Sequence, residues 1–455
     1  MEPLPGPRSP DFVQTIQLKA RPLKYLDECA RRHGDIFAAG GGRSPSIYIS
    51  RPAAIQEILT ADRALFEPFR GDRVSHFLFG ESSMVFLQGE EHLRERRRLT
   101  PSFHGERLRA NAQTIDAVAR GVMDRWRVGA PISLGPAMRE VTLRVIFRLL
   151  FGADEGDRLG RLRVLFGSLM AALNSPWSAT LLRLSSRIAV PFGRSGSLAS
   201  TKEEIDRLIY EEIRERRSRR PSTDDDLLGS MLTANGGAVD PPTDREVHDE
   251  VMTLLFAGHE TTASALAWAL YWLHRSPEAY ERLRHELEVG DRSIDAGEIS
   301  RLPYLTALCQ ETLRLNPPCL SVLRVLKAPL EISGHRFAAG TTLIISIYLT
   351  HRRTDLYPRP DRFEPERFLG RQFSIYEYLP FGGGHRVCLG MSLALLEMKL
   401  VLAAILSRWQ LAPAGRGAAK HARRVLTAGP RGDMRLIPVW ERTRRREELS
   451  PAASI

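Results

Sequence analysis

The stretch Phe381-Gly382-Gly383-Gly384-His385-Arg386-Val387-Cys388-Leu389-Gly390 decides the reading of this chain. A glycine-rich turn delivers one cysteine to the start of an apolar segment that reads as a long helix, from near Cys388 to about Trp409. Glycines let a backbone approach a flat ligand closely. A helix N-terminus points N–H groups and the positive end of its dipole at the sulfur, which favours the thiolate. A buried cysteine on a glycine turn is the commoner fate of this residue type. The full pattern FxxGxRxCxG, however, arises by chance in such a chain on the order of 10⁻⁴ times at average residue usage.

Composition narrows what such a cysteine can do. The chain has 455 residues, 43% apolar and 26% charged, ordinary values for a globular protein with a large core. Its net charge is +11. No basic stripe interleaved with aromatics and no zinc-finger spacing is present, so nucleic acid is not an expected partner, and an acidic protein fits better. Cys29, Cys309, Cys319 and Cys388 are scattered, without a CxxC. That pattern fits a reducing compartment and a cysteine that acts alone. The start, Met1 to Arg8, holds no apolar signal region, and no stretch reads as a membrane span. The expectation is a cytoplasmic protein with no membrane anchor.

Along the chain, residues 1–22 read as a Pro-rich extended lead-in. Ser46–Ile49 is a strand candidate, followed by Pro52 and a helix. Residues 90–170 read as helical, and polar breaks around Ser195–Ser200 and Pro221–Asp226 read as mobile connections. Thr243-Asp244-Arg245-Glu246 has capping-box spacing and opens a helix running to about Arg275. Its middle is apolar all round except at His259, Glu260, Thr261 and Thr262, and four such residues at the centre of a span argue against hydrocarbon as its surroundings. Ser276-Pro277 starts the next helix, and Pro303 opens another that Asn316-Pro317-Pro318 closes. Residues 320–350 read as short strands, 352–387 as mostly loop, and the stretch to Val439 as strand and hairpin.

The cysteine loop resembles the haem-binding loop of the cytochrome P450 family at every fixed position. Ala257-Gly258-His259-Glu260-Thr261-Thr262 matches that family's acid–alcohol pattern at the centre of the long helix. A local reading of the latter is a threonine bonding back to the carbonyl one turn earlier. The functional reading is oxygen activation, with Gly258 leaving room for O2 and Glu260 and Thr261 relaying protons. Glu311-Thr312-Leu313-Arg314 and Pro365-Glu366-Arg367-Phe368 resemble two further family segments. The resemblance implies that Glu311, Arg314 and Arg367 form a structural charge triad holding the loop beneath the haem. It covers about residues 45–440, with 250–400 the specific part, and Leu99–Gly105 resembles bacterial members that oxidise fatty acids or terpenoids.

The resemblance implies a mainly α, single-domain cytochrome P450 fold with a minor β part. The domain spans 23–440, between the 1–22 lead-in and a charged 441–455 tail, with the haem between the long central helix and the Cys-bearing helix. Cys388 is the expected iron ligand of haem b. His92 and Arg96, four apart on one helical face, with Arg324, Phe381 and Arg386, are the expected cofactor-binding residues, the cationic ones for the propionates. Glu260 and Thr261 are the expected catalytic pair. The implied activity is a monooxygenase that hydroxylates or epoxidises a hydrophobic small molecule of the fatty-acid, terpenoid or polyketide class. Electrons would come from a separate ferredoxin or flavodoxin with its reductase, since the chain has no length for either. Arg94 and Arg98, opposite His92, would face that partner; a solvated arginine face explains them equally well. A monomer is expected. Pocket walls are expected at 66–88, 165–185, Phe256-Ala257, Ser321–Leu323 and Thr427–Pro430. A peroxide-driven peroxygenase, an isomerase, or a haem-based sensor or carrier are the alternatives, and the retained Glu260-Thr261 pair speaks against each.

Overall fold

Thr243 and Glu246 cap the central helix as their spacing predicts. The Thr243 hydroxyl accepts from the Glu246 amide at 3.2 Å, and the Glu246 carboxylate accepts from the Thr243 amide at 2.7 Å. The helix runs 30 residues, Asp244–Leu273, about 45 Å at the usual rise. Nearly every face is buried, so it has no outward stripe and serves as the axis of the core. Around it pack Leu134–Phe151, Asp157–Leu173, Leu198–Ser218, Pro303–Leu315 and the Cys-side helix Met391–Arg408, with Gly105–Met123 against the last and the first of these. In this computed structural model the described residues are 4–40, 46–67, 71, 73–103, 105–153, 156–174, 198–218, 226–233, 241–288, 296–415, 419–423, 427–432 and 434–441. The break around Pro221–Asp226 lies outside them up to Asp226; of Ser195–Ser200, the last residues already belong to the Leu198–Ser218 helix.

The β part is small. In chain order the strands are β1 (Ile36–Ala39), β2 (Ser46–Ile49), β3 (Ile132–Ser133), β4 (Val322–Val325), β5 (Leu330–Ile332) and β6 (His335–Phe337). They continue with β7 (Thr342–Ile345), β8 (Trp409–Pro413), β9 (Lys420–Arg423), β10 (Ala428–Arg431) and β11 (Arg435–Glu441). One sheet has the order β1-β2-β7-β4, with β2 and β7 parallel and the other pairs antiparallel. Alternating Ile47, Ile49, Leu343 and Ile345 turn inward onto Ile55 and Ile58 of the Pro52–Thr60 helix, forming a second core. This sheet carries Arg324 on β4 into the interior beside the cysteine loop.

The lead-in is a correction. Its second half is not extended: Asp11–Ala20 is a helix, and Pro22 opens another to His33, while residues 1–3 lie outside the described residues. After Pro10 the next ten residues hold no Pro or Gly to break a helix. Gln14 is buried and its amide donates to the Pro7 and Ser9 carbonyls, tying the preceding segment to the helix.

Glu311, Arg314 and Arg367 meet. Arg314, fully buried on Pro303–Leu315, donates from Nε and Nη2 to the two Glu311 carboxylate oxygens at 2.6 and 2.8 Å. Its remaining donors go to the carbonyls of His351 and Pro360, both 2.8 Å, and Arg362, 3.1 Å. Arg367 adds a bond to Glu311 at 3.1 Å. A buried ion pair of this kind holds only when its hydrogen bonds are complete, and here the guanidinium gathers three loop carbonyls. His351 extends the knot. Its Nδ1 faces the Arg314 carbonyl at 3.3 Å, and its Nε2 faces the Leu379 N–H at 3.0 Å. Because a carbonyl only accepts and an amide only donates, the proton sits on Nδ1 and Nε2 is bare.

Arg314→Ala removes the closer of Glu311's two guanidinium partners, leaves three loop carbonyls without their donor, and is expected to destabilise the fold by about 3–5 kcal/mol, measured by denaturant unfolding. The His351 pKa is held well below its ordinary value, first by burial and then by the Arg314 charge. The unfolded chain therefore binds more protons below about pH 6.5, and the stability His351 contributes is present above that pH and lost on acidification. The stability gap between the parent and His351→Asn should narrow from pH 7 to pH 5; a gap independent of pH contradicts this.

Candidate functional site

The cysteine loop is built by backbone bonds. The Cys388 amide donates to the Phe381 carbonyl at 3.0 Å, and the Val387 amide to Gly384 at 3.1 Å. Gly382 and Gly384 have φ of +70° and +65°, a region that favours glycine. A Cβ on Gly383 would lie 2.6 Å from Leu59 Cδ1, and one on Gly384 2.9 Å from the Leu59 carbonyl oxygen. The glycines therefore let the loop close on the Pro52–Thr60 helix; this packing, rather than ligand approach, accounts for Gly383 and Gly384. The helix begins at Met391, three residues past Cys388. Burial raises the Cys388 pKa, against the pull of the Gly390 N–H and the Arg96 charge. The helix start thus does not by itself keep the sulfur a thiolate, and a metal ion would have to displace the proton.

Cys388 is nonetheless reachable at its surface, as is Cys319 after the Pro317-Pro318 break. Burial pushes the Cys319 thiol up to about 11, and the nearness of Cys388 adds to the rise. A group that is both desolvated and reachable by a small molecule lies on the wall of an interior cavity. Ala257 is exposed in the same way at the middle of the central helix, between buried Phe256 and His259. Gly258 departs from expectation. A Cβ there would lie 3.0 Å from Ile146 Cδ1, so its missing side chain lets the Leu134–Phe151 helix pack closely, and the opening is at Ala257.

Thr261 donates to the Ala257 carbonyl at 2.5 Å, the local bond of a helical threonine. Glu260 is buried and accepts from Asn174 Nδ2 at 3.2 Å, at the end of the Asp157–Leu173 helix. His259 turns away, paired with Thr142 Oγ1 at 2.9 Å. An aromatic group stands beside this stretch: Phe256 meets Phe79 edge-on at 5.5 Å and Phe166 at 5.1 Å between centroids. Of the expected pocket walls, 175–185 lies outside the described residues.

The expected cationic residues converge. His92 and Arg96 from Gly89–Leu99, Arg324 from β4 and Arg386 from the cysteine loop lie close together: His92 is within reach of the Arg96 and Arg386 charges, and Arg386 of the Arg324 and Arg96 charges. Burial, then the neighbouring positive charges, lowers His92 to about 4 and Arg386 to about 10. Arg96 donates to the Val387 carbonyl at 2.9 Å, and Arg386 to the Met84 carbonyl at 2.9 Å and to Leu87. Arg324 Nη2 is buried without a hydrogen-bond partner among the described residues. The sequence reading missed His385, lowered to about 4 by burial and by Arg324, and Arg63, which adds to the same cluster. His385 lies inside the diagnostic loop and could have been suspected; nothing local marks Arg63, Asn174 or Cys319. Phe381 is partly buried against the main core.

One expectation fails here. Arg98 is buried, pairing through Nε with Glu95 at 3.1 Å, so it faces no partner. The Gly89–Leu99 helix lies deep enough that only Arg94 and Arg97 remain exposed from that arginine run.

Comparison with known proteins converges on one family. The family model for cytochrome P450 matches residues 3–430. A Mycobacterium tuberculosis protein named as cytochrome P450 135B1 is 35% identical over 90% of this chain and 85% of its own length. Cyclooctatin synthase of Streptomyces melanosporofaciens is 31% identical over 93% of this chain and 92% of its own. The solved structure of retinoic acid bound cyanobacterial CYP120A1 superposes with a TM-score of 0.81 at 26% identity, covering 96% of this chain and 99% of that one. No helix among the described residues is long and apolar enough to cross a membrane. With its match to the family model nearly end to end, the chain belongs to the cytochrome P450 family and is a haem-thiolate monooxygenase.

Proposed function

We propose that Cys388 would hold the iron of haem b, and that the enzyme oxidises a hydrophobic small molecule with O2 and electrons from a separate ferredoxin or flavodoxin and its reductase. The observation that carries the proposal is the cationic cluster around the cysteine loop. Arg96, Arg324 and Arg386 crowd together with His92 and His385, and buried Arg324 Nη2 lacks a hydrogen-bond partner among the described residues. Buried charge of one sign is costly unless an opposite charge completes it. A flat macrocycle with two carboxylates, carried by one cysteine, meets that requirement. When bound, its iron supplies O2 binding and reduction, with the thiolate favouring O–O cleavage.

The chain's own residues divide the remaining work. Arg96, Arg324, Arg386 and His92 bind the propionates, and Phe381 packs the loop that carries the thiolate. Glu260 holds and releases protons at its carboxylate, and Thr261 passes them at Oγ1 once its bond to Ala257 is released. Retention of this pair supports monooxygenation over a peroxygenase, isomerase or sensor, which have no need of it. Phe79, Phe166 and Phe256 beside Ala257 support an apolar substrate of the fatty-acid, terpenoid or polyketide class. The retinoic acid bound to the cyanobacterial relative is in keeping with that class.

Cys388→Ser should abolish the thiolate-type spectrum of the reduced carbon monoxide complex, while serine at Cys29, Cys309 or Cys319 leaves it intact. A normal spectrum in Cys388→Ser would overturn the assignment. Arg94 is the exposed cation on its helix that the partner reading retains. Arg94→Glu should slow reduction by an acidic ferredoxin severalfold at low ionic strength, with the difference shrinking in high salt. Stopped-flow reduction rates that do not change remove this face from consideration.

A further inference from the structure

The segment Ser82–Leu87 has no regular structure of its own, yet its first three residues are tied to the central helix. The Ser82 amide donates to Asp249 Oδ2 at 2.9 Å. Thr253 Oγ1 donates to the Asp249 carbonyl at 2.7 Å, so the Ser83 hydroxyl, 2.7 Å away, is the donor to Thr253. The Met84 amide donates to Glu250 Oε1. Asp249, Glu250 and Thr253 are all buried, and Glu250 and Ser83 are fully so. Gly80 supports the arrangement from one end: at φ +77° its Cβ would lie 2.0 Å from Asp249 Oδ1, so only glycine lets the carboxylate reach the segment.

The other side of the same segment faces the cysteine loop. The Met84 and Leu87 carbonyls accept from Nη1 and Nη2 of Arg386. Met84 is therefore a one-residue bridge, its N–H on the central helix and its C=O on the arginine two residues before Cys388. A guanidinium has a rigid fork of donors. Fixing Nη1 and Nη2 on two carbonyls sets the direction of the donors that remain for an anion.

We infer that Glu250, Asp249 and Thr253 are positioning residues for Arg386, acting through the backbone of Ser82–Leu87, and thereby govern how tightly haem is retained. The inference rests on the reading of Arg386 as a haem-holding residue. None of the three acts on the haem directly. Burial keeps the Glu250 carboxyl well above the usual carboxylate range, with Glu95 and Asp249 adding to the rise and the Met84 amide and Arg98 opposing it. A neutral side chain with one acceptor oxygen therefore suffices at this position, and glutamine is the conservative replacement.

The test is the rate of haem transfer from the holoenzyme to excess apomyoglobin. Arg386→Lys should raise that rate, and Glu250→Ala should raise it about tenfold, the equivalent of one buried hydrogen bond. Glu250→Gln should stay within about twofold of the parent, since it keeps the acceptor for Met84. In the Arg386→Lys background, Glu250→Ala should add less than about threefold, because both act on one element. Thr253→Val, a milder change, is read in the same cycle if Glu250→Ala does not fold. Effects that multiply independently, or a Glu250→Gln as fast as Glu250→Ala, overturn the inference and leave the haem site standing. An Arg386→Lys variant that retains haem as the parent does overturns both.

Discussion

The Glu311–Arg314 pair is the constraint on which the cysteine loop depends. Arg314 is fully buried, and a guanidinium there is tolerable only with all its donors engaged. Glu311 takes two of the bonds, and three carbonyls from the irregular 351–362 stretch take the rest. That stretch has no sheet or helix to hold it, so the guanidinium does the work of a ladder. From it the order passes on by named bonds: His351 to the Leu379 amide, Leu379 to the Gly382 amide, and Phe381 to the Cys388 amide. Cys388 is thus placed by a buried charge some seventy residues earlier in the chain, without touching it.

The opposite wall is held by different physics. The central helix is rigid because its faces are buried in apolar contact, and it meets the Leu134–Phe151 helix closely only because Gly258 has no side chain. Its polar residues are satisfied sideways: His259 on Thr142, Glu260 on Asn174, Ser264 on the Ala428 carbonyl. The same helix restrains Ser82–Leu87 through Asp249, Glu250 and Thr253. One element therefore holds both the Ala257–Thr261 stretch and Ser82–Leu87 in place, and a shift along its axis would be felt at both.

The cationic cluster works against the stability of the fold. Burial and the positive charges of Arg63, Arg96, Arg324 and Arg386 hold His92 and His385 down, and burial with the charges of Arg324 and Arg96 holds Arg386 down. A sequence chosen for stability alone would not assemble it.

Local pattern made much of this legible before any coordinates. Capping-box spacing marked the start of the central helix, prolines marked Pro303–Leu315, and the glycine loop marked Cys388, because each is written in residues a few positions apart. Glu311, Arg314 and Arg367 could be named by resemblance, but the carbonyls they gather could not. Which way a helix turns its arginines is decided by what packs on it, so Arg94 stays outside while Arg98 is buried on Glu95. Likewise Arg63, Arg324 and His385 meet only because a short helical turn, a sheet strand and a loop are brought together by two separate cores. Sequence by itself determined the elements and the ligand loop, since these follow from short-range hydrogen bonding and steric rules. The tertiary structure alone decided which distant charges share the site, since that depends on packing between segments hundreds of residues apart.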